Sequence, residues 1–381
     1  MASVSSSPPE EVKSEDSPLE TSENLPAKSA KTASRLEWID VFRGLAIVAV
    51  ALIHTCGSFL SLRFPPDTLW YALSGLKNVL QFAVPAFLML SSLVLTRSLL
   101  RDASLGKYFR NRMQSVLWPT IVWTLLCIPY AHWLRPEFTW AQTARRVWDG
   151  TSQYHLYFLR VLLQLCLILP LLLPLMRRRP PLWKLLPVTI LLTLAVFFAN
   201  RYFLFTRYPA SWLFWYIPSI ALGIWLAGQS ERWLSIARRG WFFALVLTMT
   251  GGWYYLSYAM RDAEGFDERT VAYPISQWIY VSGAGLLLFC IAVLWSEKPR
   301  KFFLLPLWRL LGRYSLQIYL LHPVILAVMS KEIEKHFISG FISAKLLVVL
   351  FIVRLIACIA VPLFFARLFE KLRLSSLLFG R

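Results

Sequence analysis

The chain has 381 residues, of which 57% are hydrophobic, 15% aromatic and only 16% charged, with a mean hydropathy of +0.53. So little charge over this length excludes a soluble domain, and repeated apolar runs of about 20 residues mark an all-α polytopic membrane protein. The net charge of +19 would suggest a nucleic-acid binder if the chain were soluble. Here the basic residues flank the apolar runs, which makes the lipid bilayer the expected partner and argues against nucleic acid.

Residues 1–34 are rich in Ser, Pro, Glu and Lys and almost devoid of large apolar side chains. They read as a disordered cytoplasmic tail, with no basic n-region or apolar h-region of a signal peptide. Residues 35–381 then form a transmembrane domain with a short C-terminal tail. Apolar length and flanking charge predict a bundle of about ten helices, near 39–61, 71–96, 115–134, 154–176, 183–201, 211–229, 241–260, 272–296, 308–330 and 344–368.

The first of these runs, IDVFRGLAIVAVALIHTCGSF, carries Arg43 and His54. Their spacing is close to three helical turns, so both share one face, roughly 16 Å apart along the axis. Charged and ionisable groups in hydrocarbon are costly and need a polar interior or a function. Arg43 alone is also explained by pairing with Asp40, three residues earlier, or by snorkelling to the headgroups. His54 lies too deep to snorkel, which leaves a hydrogen-bonded packing role or chemistry.

Lys and Arg set the orientation. Arg97, Arg101, Lys107, Arg110 and Arg112 follow the second run, Arg177, Arg178, Arg179 and Lys184 the fourth, and Arg232, Arg238 and Arg239 the sixth. Lys298, Arg300, Lys301 and Arg309 follow the eighth, while the 261–269 loop on the opposite side is net acidic. By the positive-inside rule both termini are cytoplasmic. Within the runs, basic groups (Arg43, His54, Lys77, His132, His155, Arg160, Arg313, His322, Arg354) far outnumber acidic ones, represented by Asp40. A cationic interior suits an anionic ligand such as a phosphate-bearing cosubstrate, and weighs against a proton-coupled carrier. Lys77 and Arg354 read as structural.

His155 opens the fourth run in QYHLYFLRVLLQL, on the external side. The aromatic and His group there fits either an interfacial belt or contact with a sugar-like acceptor. In RYSLQIYLLHPVIL, Ser315, Tyr319 and His322 share one helix face. Pro323 has no N–H for the Tyr319 carbonyl, which leaves that acceptor open one turn before the histidine. His322 falls at a depth similar to His54, so the two imidazoles either line one cavity or His322 is a satisfied residue at a Pro kink. The five cysteines are scattered through apolar runs without metal-ligand spacing, so neither disulfides nor a metal site is expected.

These segments together resemble the acyltransferase 3 family of integral membrane acyltransferases. WIDVFRGLAIVAVALIH is similar to its first-helix signature of Asp, Arg-Gly and a later His, and AVPAFLMLSSLVL to its second-helix segment. YFRNRMQSVLWPTIVW, HLYFLRVLLQLCLILP and GRYSLQIYLLHP resemble its basic entry to the third helix, its fourth helix and its late His-Pro segment, in order over residues 36–368. Ser91-Ser92 departs from the usual Ser-Gly, which questions any role needing a glycine's close backbone approach there.

The resemblance implies transfer of an acyl group, commonly acetyl from acetyl-CoA as cosubstrate, to a hydroxyl, usually of a carbohydrate or cell-surface glycan. By position it assigns His54 and Arg43 as catalytic. Arg110, Arg112, Asp40, His155, Ser315, Tyr319 and His322 become candidate residues for binding substrate and cosubstrate, with no bound cofactor or metal. Many members carry a C-terminal extracytoplasmic esterase-like domain. None is recognised here, so transfer is expected to finish in the membrane domain or through a separate protein. In the expected mechanism Arg43, Arg110 and Arg112 hold the CoA phosphates and His54 deprotonates the acceptor hydroxyl, an acyl-His54 intermediate being the competing scheme. Ser315, Tyr319 or His322 would donate to the oxyanion. A glycan or lipid carrier or flippase, and O-acylation of a small cytoplasmic metabolite, are the alternatives.

Overall fold

In hydrocarbon a helix pairs nearly every backbone N–H and C=O within itself, so apolar runs of this length fold as helices. The computed structural model describes residues 36–60, 68–102, 104–134, 139–148, 153, 155–206, 208–265, 270–298, 302–337 and 344–380, and the tail expected over 1–34 lies outside the described residues. Among the described residues there is no strand. The helices are α1 (Glu37–Leu60), α2 (Thr68–Val79), α3 (Ala83–Arg101), α4 (Leu105–Arg112), α5 (Trp118–Leu134), α6 (Trp140–Trp148), α7 (Tyr157–Ile168) and α8 (Leu173–Arg177). The chain continues through α9 (Leu182–Ala199), α10 (Ile217–Gly228), α11 (Trp233–Ala263), α12 (Ala272–Glu297), α13 (Leu305–Arg313), α14 (Ser315–Phe337), α15 (Ala344–Lys371) and α16 (Ser375–Phe379).

Among the described residues, six helical stretches are long and apolar enough to cross a membrane: α1, α2 with α3, α7 with α8, α9 with the turn after it, α12 and α15. The pair α13 and α14, bent by 78° at Tyr314, makes a seventh if counted as one span. This is fewer than the ten expected. The expected spans at 115–134, 211–229 and 241–260 are helical, but α5 has 17 residues and α10 only 12. α11 is 31 residues long and carries Arg238, Arg239, Arg261 and Asp262.

Burial ranks the helices from centre to rim. In the apolar window of α1, 67% is buried, against 17% for the α9 stretch and 22% for α15. α9 and α15 turn Leu191, Val188, Val349 and Ile356 outward, as a lipid-facing surface requires. α1 lies against α2, α3, α12, α13, α14 and α15.

Close approach of α1 and α13 rests on two glycines. A Cβ on Gly44 would sit 2.1 Å from the Trp308 carbonyl oxygen, and one on Gly312 1.7 Å from that of Asp40. Lipid tails are as apolar as side chains, so van der Waals contact between backbones is what holds such a pair together. Glu37 and Arg309 add an ion pair between the same helices.

The Ser91-Ser92 departure has a local answer. The glycine stands on the facing helix: a Cβ on Gly223 of α10 would lie 2.1 Å from the Met89 carbonyl oxygen and 1.9 Å from Ser92 Oγ. Ser92 Oγ lies 2.9 Å from the Met89 carbonyl and 3.1 Å from that of Ile220, so it ties α3 to α10.

Candidate active site

Three of the chain's five histidines converge in the bundle. The ring centroids of His54 (α1) and His322 (α14) are 5.1 Å apart, and those of His322 and His155, just before α7, are 5.9 Å apart. Tyr319 completes the group, 5.4 Å from His155 and 6.1 Å from His322. The depth match between His54 and His322 is therefore a direct contact. His155 is not an interfacial belt residue, since it is 1% exposed and packed among these rings. The belt reading fails because the α7 run begins two residues later, at Tyr157, and the turn at 155–156 folds the imidazole inward.

The local backbone fixes the chemistry of His322. Its Nδ1 lies 3.0 Å from the Ile318 carbonyl and also reaches that of Tyr319, the acceptor left open by Pro323. A carbonyl accepts, so Nδ1 carries the proton and Nε2 keeps its lone pair. Nε2 is buried with no hydrogen-bond partner among the described residues. The Tyr319 hydroxyl donates to the His155 carbonyl, which joins α14 to the start of α7.

Beside this cluster lies a cavity of about 130 Å³. Arg43, Arg112 and Arg313 line it with Ser91, Ser115, Ser315 and Tyr319, and no acidic side chain does. Its remaining walls are apolar, from α1, α3, α7 and α14. Three guanidiniums around one hollow favour an anion there, although Arg313 also lies 3.9 Å from the Glu370 carboxylate, and the serines add hydrogen-bonding groups. His54 does not line the cavity. Tyr319 does, and its ring also contacts those of His155 and His322.

Arg112 reaches the cavity because α4 is anchored. Tyr108, the buried residue of that helix, donates to the Cys166 carbonyl at 3.1 Å, and the Arg112 guanidinium lies 5.8 Å from its ring centroid. Two residues earlier, Arg110 is exposed and lies outside the cavity lining. Asp40 is buried at the α1–α13 crossing and also lies outside it. Ser91 and Ser115 received no binding role from the sequence, and Arg313 only a place among the basic groups of the cationic interior. The position of Arg313 two residues before Ser315 was the available signal for it.

Arg354 is fully buried in α15, where it donates to Ser58 Oγ at 3.1 Å and packs 4.7 Å from the Phe59 ring centroid. It joins α15 to α1 one turn beyond His54, a structural placement. The five cysteines are buried and free of disulfides.

A family model described as an acyltransferase domain matches residues 36–367, nearly the whole chain. The chain belongs to the acyltransferase 3 family. Comparison with curated proteins and with solved structures gives no match. As an acyltransferase 3 protein it is a membrane acyltransferase. The histidine cluster and the arginine-lined cavity lie within the matched region, and every motif that carried the resemblance contributes a residue to the cavity, the cluster or the packing around them.

Proposed function

We propose that this acyltransferase moves an acetyl group from acetyl-CoA to a hydroxyl of a carbohydrate or cell-surface glycan. The observation that carries the reading is the joining of a three-arginine cavity to a three-histidine cluster through Tyr319. Arg43, Arg112 and Arg313 hold the CoA phosphates, and the thioester extends toward Tyr319 and His54. The His54 imidazole removes the acceptor's hydroxyl proton as the oxygen attacks the thioester carbonyl. Ser315 donates to the developing oxyanion. The C–S bond then breaks, and the departing thiolate takes the proton back from His54. His322, whose ring lies against that of His54, positions the base.

In the same reading α5, α10 and α11 join the seven long apolar stretches to make ten spans. Both termini are cytoplasmic, in the plasma (inner) membrane, and the arginine cavity faces the side from which acyl-CoA arrives.

Purified His54→Ala is expected to fold and to lose acetyl transfer from labelled acetyl-CoA. A near wild-type rate would remove His54 as the base. A glycan or lipid carrier would cleave no thioester, so acetyl-CoA hydrolysis by the wild-type protein in detergent separates the two classes.

A further inference from the structure

A second cavity of about 120 Å³ adjoins the first, with Val84 lining both. Its wall combines Tyr157, Trp215, Tyr216 and Trp278 with the amides of Gln81 and Gln277, and among the described residues no charged side chain lines it. Along α7 it meets Tyr157 in the first turn, whereas the arginine cavity meets Phe158 to Cys166. Along α3 it meets Val84 and Pro85, whereas the arginine cavity continues to Leu95. The two hollows therefore lie end to end along α3 and α7. The Tyr216 hydroxyl donates to the Ala210 carbonyl at 3.0 Å, and Tyr157 opens α7 two residues after His155. That places the second cavity beside the histidine cluster.

Its aromatic wall is built in. Gln164 of α7 accepts from Leu213 N at 2.8 Å and donates to the Ser211 carbonyl at 3.1 Å, pinning the turns at 209–216 that carry Trp215 and Tyr216. Trp278 Nε1 donates to the Trp215 carbonyl at 3.2 Å, and the two indoles meet edge to face at 5.5 Å. Gln81 stands on a tight turn between α2 and α3.

We infer that this second cavity is the acceptor subsite and takes an uncharged, ring-shaped polyol such as a neutral pyranose; the inference rests on the acyl-transfer reading above. The C–H face of such a ring packs on indole and phenol faces, while its hydroxyls pair with side-chain amides. A carboxylate or ammonium would lose hydration here with no opposite charge to replace it. An acceptor seated here presents a hydroxyl toward Tyr319 and the histidines, while the donor enters through the arginine cavity.

The test uses purified full-length protein, labelled acetyl-CoA, and methyl glucoside, methyl galactoside and methyl mannoside against glucuronate and glucosamine. At least one neutral glycoside is expected to be acetylated, and neither charged sugar. Gln81→Leu and Gln277→Leu keep the volume and remove the amide. Each is expected to raise the glycoside KM about tenfold, with the acetyl-CoA KM unchanged. Preference for a charged sugar, acetylation of none of the five with hydrolysis intact, or an unchanged glycoside KM in both variants would overturn the subsite. Absence of all thioester cleavage by the wild type would overturn the acyl-transfer reading, and the subsite with it.

Discussion

Two arginines separated by one residue, Arg110 and Arg112, were equal candidates in the sequence and are unequal in the structure. Only Arg112 lines the cavity, because Tyr108 fixes which side of α4 faces the bundle. Arg112→Ala is therefore expected to raise the acyl-CoA dissociation constant about tenfold, and Arg110→Ala less than about twofold, in calorimetric titration. Equal effects would mean that both arginines act as diffuse surface charge. A Tyr108→Phe protein keeps Arg112 but loses the hydrogen bond to Cys166. It should weaken acyl-CoA binding less than Arg112→Ala, at a stability cost of about 1 kcal/mol. His322→Gln is expected to lower turnover about a hundredfold with the acyl-CoA dissociation constant unchanged, since it leaves the arginine cavity intact. Just outside the α3 span, the Lys107 ammonium and the Ser104 N–H hold the Asp102 carboxyl below the usual carboxylate range. What this contact adds to the start of α4 is present above the unfolded pKa and is lost as pH falls through the lowered folded value. Both side chains are well exposed, so the effect is small.

Helix identity was largely legible, because apolar length and a 3.6-residue period are local properties of the chain. Interruptions were not. Several cavity residues stand where the α-helical pattern breaks: Gln81 on the turn at 80–82, Ser115 and Val116 on the π-helical turn Met113–Leu117, and Ser315 at the 78° bend. Such breaks free backbone groups and re-aim side chains, and functional sites often use them. Pro323, where the sequence suggested a kink, lies inside the continuous helix α14. The Arg-Gly pair of the first helix likewise divides into two roles. Arg43 faces the cavity, while Gly44 admits α13. Gly312→Val is expected to destabilise the protein by about 4 kcal/mol or more, because the facing Asp40 backbone cannot retreat. Gly57→Ala, where nothing lies within 4 Å of the added carbon, should be near neutral. Thermal unfolding in detergent compares them, and equal melting temperatures would refute the crossing as the tight point.

The C-terminal segment closes back onto α5 and the turn before it. Phe379 is fully buried and stacks on Trp123, while the Trp118 and Trp123 indoles donate to the Leu377 and Leu378 carbonyls at 2.7 and 2.9 Å. Gly380, at φ 71°, passes so close to the Gln114 carbonyl that a Cβ would overlap it. This braces the π-helical turn that carries Ser115 and Val116. Phe379→Ala is expected to cost about 3 kcal/mol and to weaken acyl-CoA binding without touching the ligand. Orientation is tested by impermeant maleimide on intact cells: all native cysteines are buried, so Glu264→Cys should label from outside and Ser376→Cys only after permeabilisation. The reverse pattern would invert the proposed topology. Composition, the all-helical membrane class and the set of costly polar residues followed from the chain alone, because the penalty for a charge or an open backbone group in hydrocarbon depends on local sequence. Which of those residues meet did not. Three histidines from distant positions form one cluster, Arg313 joins Arg43 and Arg112, and two uncharged glutamines face two indoles, because helix crossings set by glycines and bends bring them together. Those crossings depend on surfaces far apart in the chain, and no local pattern encodes them.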